Sequence, residues 1–104
     1  LSVGYQVGSR HPLTQGAAGI AILSQRTPAK QDSPEVRMAR EQGYAATRGA
    51  LQKGAVGVAS PIRRQDGAST GAEACVGIVA MEDLDADEAA RRVRECAKTF
   101  GDSL

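Results

Sequence analysis

In the segment AVGVASPI at positions 55–62, mostly larger side chains at the even positions alternate with small ones at the odd positions. A period of two predicts a β-strand, because successive side chains of a strand point to opposite faces. One face carries almost no side-chain volume, which leaves room for a helix or a ligand against the strand. The fuller face comprises Val56, Val58, Ser60 and Ile62, and the smaller face comprises Ala55, Gly57, Ala59 and Pro61.

Extended segments flank this strand on both sides. Residues 44–48 predict a short strand before it, joined through the turn-rich residues 49–54. Residues 73–81 predict an apolar strand after it, and the polar connection at 63–72 contains the turn pair Asp66-Gly67. A hairpin of the two later strands is therefore the simplest arrangement. Residues 1–8 also alternate and predict a half-buried strand at the start of the chain.

Two helices are predicted between the first two strands. Residues 14–25 are nearly all small or apolar, and Thr14 is placed to cap the start of that helix. Residues 34–42 are bounded by Ser33 as N-cap, Pro34 at the favoured first position and Gly43 as a left-handed stop.

The strongest helix signal spans residues 85–100. Asp85 and Glu88 form a capping box at its start, and Gly101 is expected to end it. Its apolar stripe consists of Ala86, Ala89, Ala90, Val93, Ala97 and Phe100. The order strand, helix, helix, strand, strand, strand, helix predicts an α+β domain with an antiparallel sheet flanked by helices.

Composition limits the function classes. The 104 residues carry 13 basic and 12 acidic side chains, a net charge of +1, whereas nucleic-acid-binding domains normally show a basic surface. The longest uncharged run, at 12–25, is too short to span a membrane, and residues 1–8 do not resemble a signal peptide. We therefore expect one small cytoplasmic domain with no membrane association. Because the chain begins at Leu1, we expect it to be a piece of a longer protein.

Candidate catalytic and metal-binding residues are sparse. The single histidine, His11, has no Ser or Cys tied to it by a local signature, so we expect no enzyme. Cys75 and Cys96 lack zinc-site spacing, and neither a metal nor a cofactor is expected. We interpret the cysteines as buried reduced thiols, with a disulfide as the alternative.

The segment Gly16-Ala17-Ala18-Gly19 has two interpretations. Backbone N–H groups at a helix start, uncovered by side chains, can hold an anionic ligand. The same four residues can instead allow a helix to pack closely against a neighbouring element. Spacing alone favours this packing interpretation over anion binding, because the segment lacks the lysine and the hydroxyl residue of a phosphate-binding loop.

Three ordered blocks from His11 onward resemble the effector-binding domain of IclR-type bacterial transcriptional regulators. Residues 10–13, RHPL, and 16–23, GAAGIAIL, resemble the family's "RxPLxxxAxGKAxLA" helix. Residues 40–45, REQGYA, resemble "IRxxGYA". Residues 48–62, RGALQKGAVGVASPI, resemble "xGELxxGVxGIAAPI", which is the most diagnostic block. The resemblance covers essentially the whole chain.

The resemblance implies a GAF-like domain and a ligand site. In the family, N–H groups at the start of the first helix hold an effector carboxylate, which maps to Ala17 and Ala18 next to Gly16. Further pocket positions map to Thr47, Gly57, Gly77 and Val79, of which only Thr47 is polar. The glutamate of "GEL" is Ala50 here and the lysine of "GKA" is Ile20. These differences and the small glycines favour an effector that is larger and partly apolar rather than a very small polar acid.

The resemblance also implies the domain's role. Residues 1–104 correspond to the C-terminal part of the effector domain, without its first portion and without the N-terminal winged helix-turn-helix. We predict a non-catalytic sensor of a small organic acid that changes how a homodimer or tetramer presents separate DNA-binding domains. The alternative is a structural oligomerisation module with a vestigial pocket.

Overall fold

A computed structural model describes residues 12–49, 53–63, 73–81 and 83–103. The elements of these ranges are, in chain order, α1 (Ala17–Ser24), α2 (Pro34–Gln42), β1 (Ala45–Arg48), β2 (Ala55–Pro61), β3 (Cys75–Met81) and α3 (Ala86–Asp102). The predicted α+β class with an antiparallel sheet is confirmed. The strand predicted at 1–8 lies outside the described residues.

The described sheet has the strand order β1-β2-β3, with both neighbouring pairs antiparallel. The pairing of β2 with β3 confirms the predicted hairpin. Thr47 of β1 lies opposite Gly57 of β2, which in turn lies opposite Val79 of β3. Every residue of the central strand is buried, so β2 is covered on both faces.

Helices cover the two faces of the sheet separately. On the small-residue face, Ala59 packs in one apolar cluster with α1 and α2, where Ile20 and Val36 are its largest buried members. On the other face, Val56 and Val58 pack against α3. The division of β2 into two faces is therefore confirmed, and part of its small-residue face is covered by a helix.

The predicted bounds of α2 are confirmed, because local signals set both ends. The Ser33 hydroxyl accepts a hydrogen bond from the Val36 N–H at 3.2 Å, and Pro34 occupies the first helical position. Gly43 stops the helix with φ at 89°, in the left-handed region that glycine adopts without strain.

The predicted ends of the other two helices are wrong. Helix α1 begins at Ala17 rather than at Thr14, because Gly16 adopts φ 85° and ψ 155°. These angles are not helical, so the helix does not extend back through Gly16. Helix α3 continues through Gly101 to Asp102, and Phe100, placed on its apolar stripe, is 56% exposed.

None of the helices in the described ranges is long and apolar enough to cross a membrane.

Both cysteines are free thiols. Cys75 is partly buried under α1, but Cys96 lies on the exposed side of α3. The expectation that Cys96 is buried is therefore wrong. The buried stripe of the helix is formed by Ala89, Ala90, Val93 and Ala97, and Cys96 lies beyond the edge of that stripe.

Asp32 holds the loop before α2. Its Oδ2 accepts hydrogen bonds from the Ala29 N–H at 2.9 Å and from the Arg40 guanidinium at 3.0 Å. These contacts, the Ala29 hydrogen bond foremost, lower the pKa of Asp32 below its ordinary value.

Acid is expected to remove the stabilisation that Asp32 provides. Since its pKa is depressed in the folded state, the contribution is complete at neutral pH and is lost as the pH falls through the folded pKa. Urea unfolding of the wild type and Asp32→Asn across this range measures the effect. The stability gap between the two proteins is expected to narrow as the medium becomes acidic, and a gap that stays constant would contradict this role.

Candidate functional site

Backbone hydrogen-bond donors lie at the start of α1. The first N–H groups of a helix have no acceptor within it, and here the cap residue, Gly16, has no side chain to offer one. No acidic residue stands in the first turn of this helix. The N-terminus of α1 therefore combines donors with the positive end of the helix dipole.

This helix start lies directly over the sheet. A Cβ atom built on Gly57 would be 3.3 Å from the Cβ of Ala17 and 3.9 Å from its backbone nitrogen. The same position is 3.3 Å from Oγ1 of Thr47. Three predicted site residues, drawn from α1, β1 and β2, therefore meet at one point.

Val79 lies in the same cross-strand row as Thr47 and Gly57. Gly77 lies in the next row on the same face of the sheet. The register places Val79 opposite Gly57, so it lies two strands from Thr47, a separation of about 10 Å. Gly77 lies opposite Ala59, which packs under α1. Val79 is 43% exposed and Ala18 is also exposed, so the site is open to solvent on this side.

Gly57 and Gly77 allow close packing rather than creating empty space. The Cβ position of Gly57 is already in tight contact with Ala17 and Thr47. The Cβ position of Gly77 lies 3.2 Å from the Val58 carbonyl oxygen and 3.3 Å from the Cβ of Ala59. A ligand at this site would therefore lie outward of these glycines, towards the exposed residues Ala18 and Val79.

Close packing, one of the two interpretations of the small-residue segment, accounts for Gly19. A Cβ on Gly19 would collide with the backbone of Leu13, whose carbonyl carbon and Cα both lie 2.8 Å from that position. Gly19 thus serves close packing. Gly16, Ala17 and Ala18 stand at the helix start, where the donors face away from α1.

Cys75 is a neighbour of this site that sequence reasoning did not place there. Its Sγ lies 3.8 Å from the carbonyl oxygen of Ala18. Burial raises the pKa of the Cys75 thiol above its ordinary value. Its position follows from its pairing with Pro61 on the α1 side of the sheet, a register that the sequence did not define.

The far end of α1 is tied to the start of β3. The Gln25 side-chain amide donates to the Ala74 carbonyl oxygen at 2.6 Å. Arg26 pairs with Glu73 at 2.9 Å, although both side chains are about half exposed and such pairs contribute little stability. These contacts orient α1 across the sheet, with its donor end towards Thr47 and Gly57.

The arrangement places hydrogen-bond donors beside an apolar surface. Ala17 and Ala18 offer N–H donors, Thr47 offers a hydroxyl, and Val79 offers apolar surface. Within the described ranges, no three His, Cys, Asp or Glu side chains gather closely enough to hold a metal ion. His11 lies outside those ranges. The chemistry present matches a carboxylate carried on an apolar body.

Comparison with solved structures identifies the fold. No protein-family model and no curated protein matches the sequence. The repressor BlcR of Agobacterium tumefaciens superposes on 96% of this chain with a TM-score of 0.74 and 21% identity, over 50% of its own length. An IclR homolog of Microbacterium hydrocarbonoxydans, solved with 4-hydroxybenzoate, covers 100% of this chain with a TM-score of 0.71 and 20% identity, over 52% of its own length.

A third structure, the C-terminal domain of the Escherichia coli transcriptional regulator KdgR, covers 90% of this chain with a TM-score of 0.65 and 19% identity, over 69% of that domain. The chain thus spans about half the length of the first regulators it matches. Its fold is that of the C-terminal domains of IclR-type transcriptional regulators. The motif resemblance is confirmed at this level.

Proposed function

We propose that this chain is the C-terminal part of a ligand-sensing domain of an IclR-type transcriptional regulator and binds a small organic acid at the start of α1. The observation that carries the proposal is the convergence of Ala17, Thr47 and Gly57, with helix N–H donors and a hydroxyl at one point. The shared fold with regulators supports the regulatory role.

The ligand class follows from the lining of the site. N–H donors and a helix dipole favour a carboxylate, while the exposed Val79 offers an apolar contact beside them. A neighbour was solved with 4-hydroxybenzoate, which makes an aromatic carboxylate the sensible first probe. We expect benzoate-like acids to bind in preference to pyruvate, which has no ring to place against Val79.

In the longer protein, the bound acid acts through quaternary structure. We propose that the domain forms a homodimer or tetramer and that the ligand binds one arrangement more tightly than another. Such a difference in affinity shifts the population of arrangements and with it the spacing of separate DNA-binding domains. This chain itself supplies no DNA contact in that mechanism.

Benzoate is expected to stabilise the chain against thermal unfolding. At 100 times the dissociation constant the gain is about 2.7 kcal/mol, because ligand binds only the folded state. Thr47→Val removes the hydroxyl at nearly constant shape and is expected to weaken binding roughly 2- to 13-fold. Thr99→Val, on α3, is the matched control and is expected to bind normally. Equal stabilisation by benzyl alcohol, or none by benzoate, would contradict the proposal.

One observation favours the rival function, an oligomerisation module. Strand β3 leaves Ile78 37% and Val79 43% exposed, on opposite faces of the sheet. An assembly through β3 would cover this apolar surface. If that is its only role, no carboxylate stabilises the chain, and Ile78→Lys dissociates the oligomer in sedimentation experiments. Ligand stabilisation that survives Ile78→Lys supports the sensor instead.

A further inference from the structure

A second concave surface lies on the α3 side of the sheet, away from α1. It encloses about 670 Å³ between α3 and the turn that joins α2 to β1. Its lining combines Gly43 and Tyr44 of that turn, Pro61 and Arg63 at the end of β2, and Arg94 among the α3 residues. We refer to it as the α3 groove.

The basic side chains of the α3 groove differ in their partners. Arg91 donates to Glu88 and Glu95, and Lys98 donates to Asp102 at 2.9 Å. Arg63 and Arg94 have no hydrogen bond or ion pair to any residue of the described ranges. Both arginines line the groove together with Asp87, and neither arginine is engaged by a residue of the described ranges.

The Arg94 side chain lies close to the backbone of the turn. A Cβ on Gly43 would lie 3.5 Å from Nε of Arg94 and 3.6 Å from its Nη2. Because Gly43 ends α2, the cation lies at the negative end of that helix, which favours this location. The Arg94 guanidinium therefore lies beside Gly43 at one side of the groove.

We propose that the α3 groove binds a small organic phosphate. Arg63 and Arg94 supply two positive charges in planar, forked groups, and such groups match the geometry and double charge of a phosphate monoester. Tyr44 and Pro61 supply apolar surface for the organic part. A long acidic peptide matches less well, because the remaining basic groups already pair with carboxylates.

Phenyl phosphate titrated into ¹⁵N-labelled chain tests this site. Saturable shifts are expected at the amides of Gly43, Tyr44 and Arg63. Arg94→Gln and Arg63→Gln are each expected to weaken binding about tenfold or more, since each removes a charge-assisted hydrogen bond. Arg92→Gln is the matched control, because Arg92 pairs with Glu88 on α3 and does not line the groove; it is expected to bind within about threefold of wild type.

Several outcomes would overturn the proposal. If phenol binds as tightly as phenyl phosphate, the phosphate charge plays no role in binding. If inorganic phosphate binds as tightly as phenyl phosphate, the apolar lining plays no role. Unchanged affinity in Arg94→Gln would exclude the site itself. Because Arg94 lies on the opposite face of the sheet from α1, these results are independent of benzoate binding at Ala17 and Ala18.

Discussion

Replacing Ala18 by proline is expected to weaken benzoate binding by roughly 10- to 150-fold. The change deletes an N–H that is proposed to hold the carboxylate, and a charge-assisted hydrogen bond contributes about 1.5 to 3 kcal/mol. The helix is expected to survive. Ala18 is the second residue of α1, its side chain is exposed, and proline is tolerated in the first helical turn. Calorimetry gives the affinity, and circular dichroism checks the fold.

Ala18→Ser provides the matched control, because it changes the side chain at the same position and keeps the N–H. It is expected to bind benzoate within about threefold of wild type. A folded Ala18→Pro variant that also binds within about threefold would place the carboxylate elsewhere. Ala17→Pro removes the neighbouring donor, but Ala17 is buried beside Gly57, so Ala18 gives the cleaner test.

Gly101→Ala is expected to destabilise the fold by about 2 kcal/mol, although alanine is favoured over glycine in a helix by about 1 kcal/mol. The reason is a close approach. The Cβ of alanine at this position would overlap the carbonyl oxygen of Arg63, and its carbonyl carbon lies only 2.9 Å away. The backbone of α3 or of the segment after β2 must therefore move.

Urea unfolding measures this effect, with Thr99→Ala as control. Thr99 lies in the same helix with an exposed side chain, and its replacement is expected to change stability by less than about 0.5 kcal/mol. If Gly101→Ala stabilises the protein, helix propensity dominates and the contact with Arg63 is not a constraint. The expected sign is the opposite.

Local signals in the sequence were sufficient for α2 and for the faces of β2. Ser33, Pro34 and Gly43 act within one or two helical turns, so their effect does not depend on the rest of the fold. The alternation at 55–62 likewise follows from strand geometry alone. Both predictions were confirmed.

Tertiary contacts explain the glycines that were misassigned, and local backbone geometry explains the start of α1. Gly101 was expected to stop α3, but it lies inside the helix, where the absence of a side chain allows the Arg63 backbone to approach. Thr14 was a reasonable cap by residue type, but the backbone of Gly16 sets the start of α1. Gly57 and Gly77 suggested free space, whereas their neighbours already occupy it. None of these contacts leaves a periodic signal in the sequence.

The candidate site was assembled from a resemblance in sequence motifs, and the register explains why its residues meet. Thr47 and Gly57 are ten positions apart in the chain and directly opposite in the sheet. The α3 groove left no comparable signal, because Arg63 belongs to the predicted polar connection at 63–72 and Arg94 to a helix of which only the ends and the apolar stripe were interpreted.

The amide proton shifts of Ala17 and Ala18 during a benzoate titration test the central claim most directly. A carboxylate that accepts hydrogen bonds from these two groups is expected to move both amide protons downfield and saturably, more than any amide of α3, with smaller shifts at Thr47 and Gly57. Benzyl alcohol is expected to leave them unchanged. Shifts that fail to saturate, or that are largest at Gly43, Tyr44 and Arg94, would contradict a carboxylate site at the start of α1.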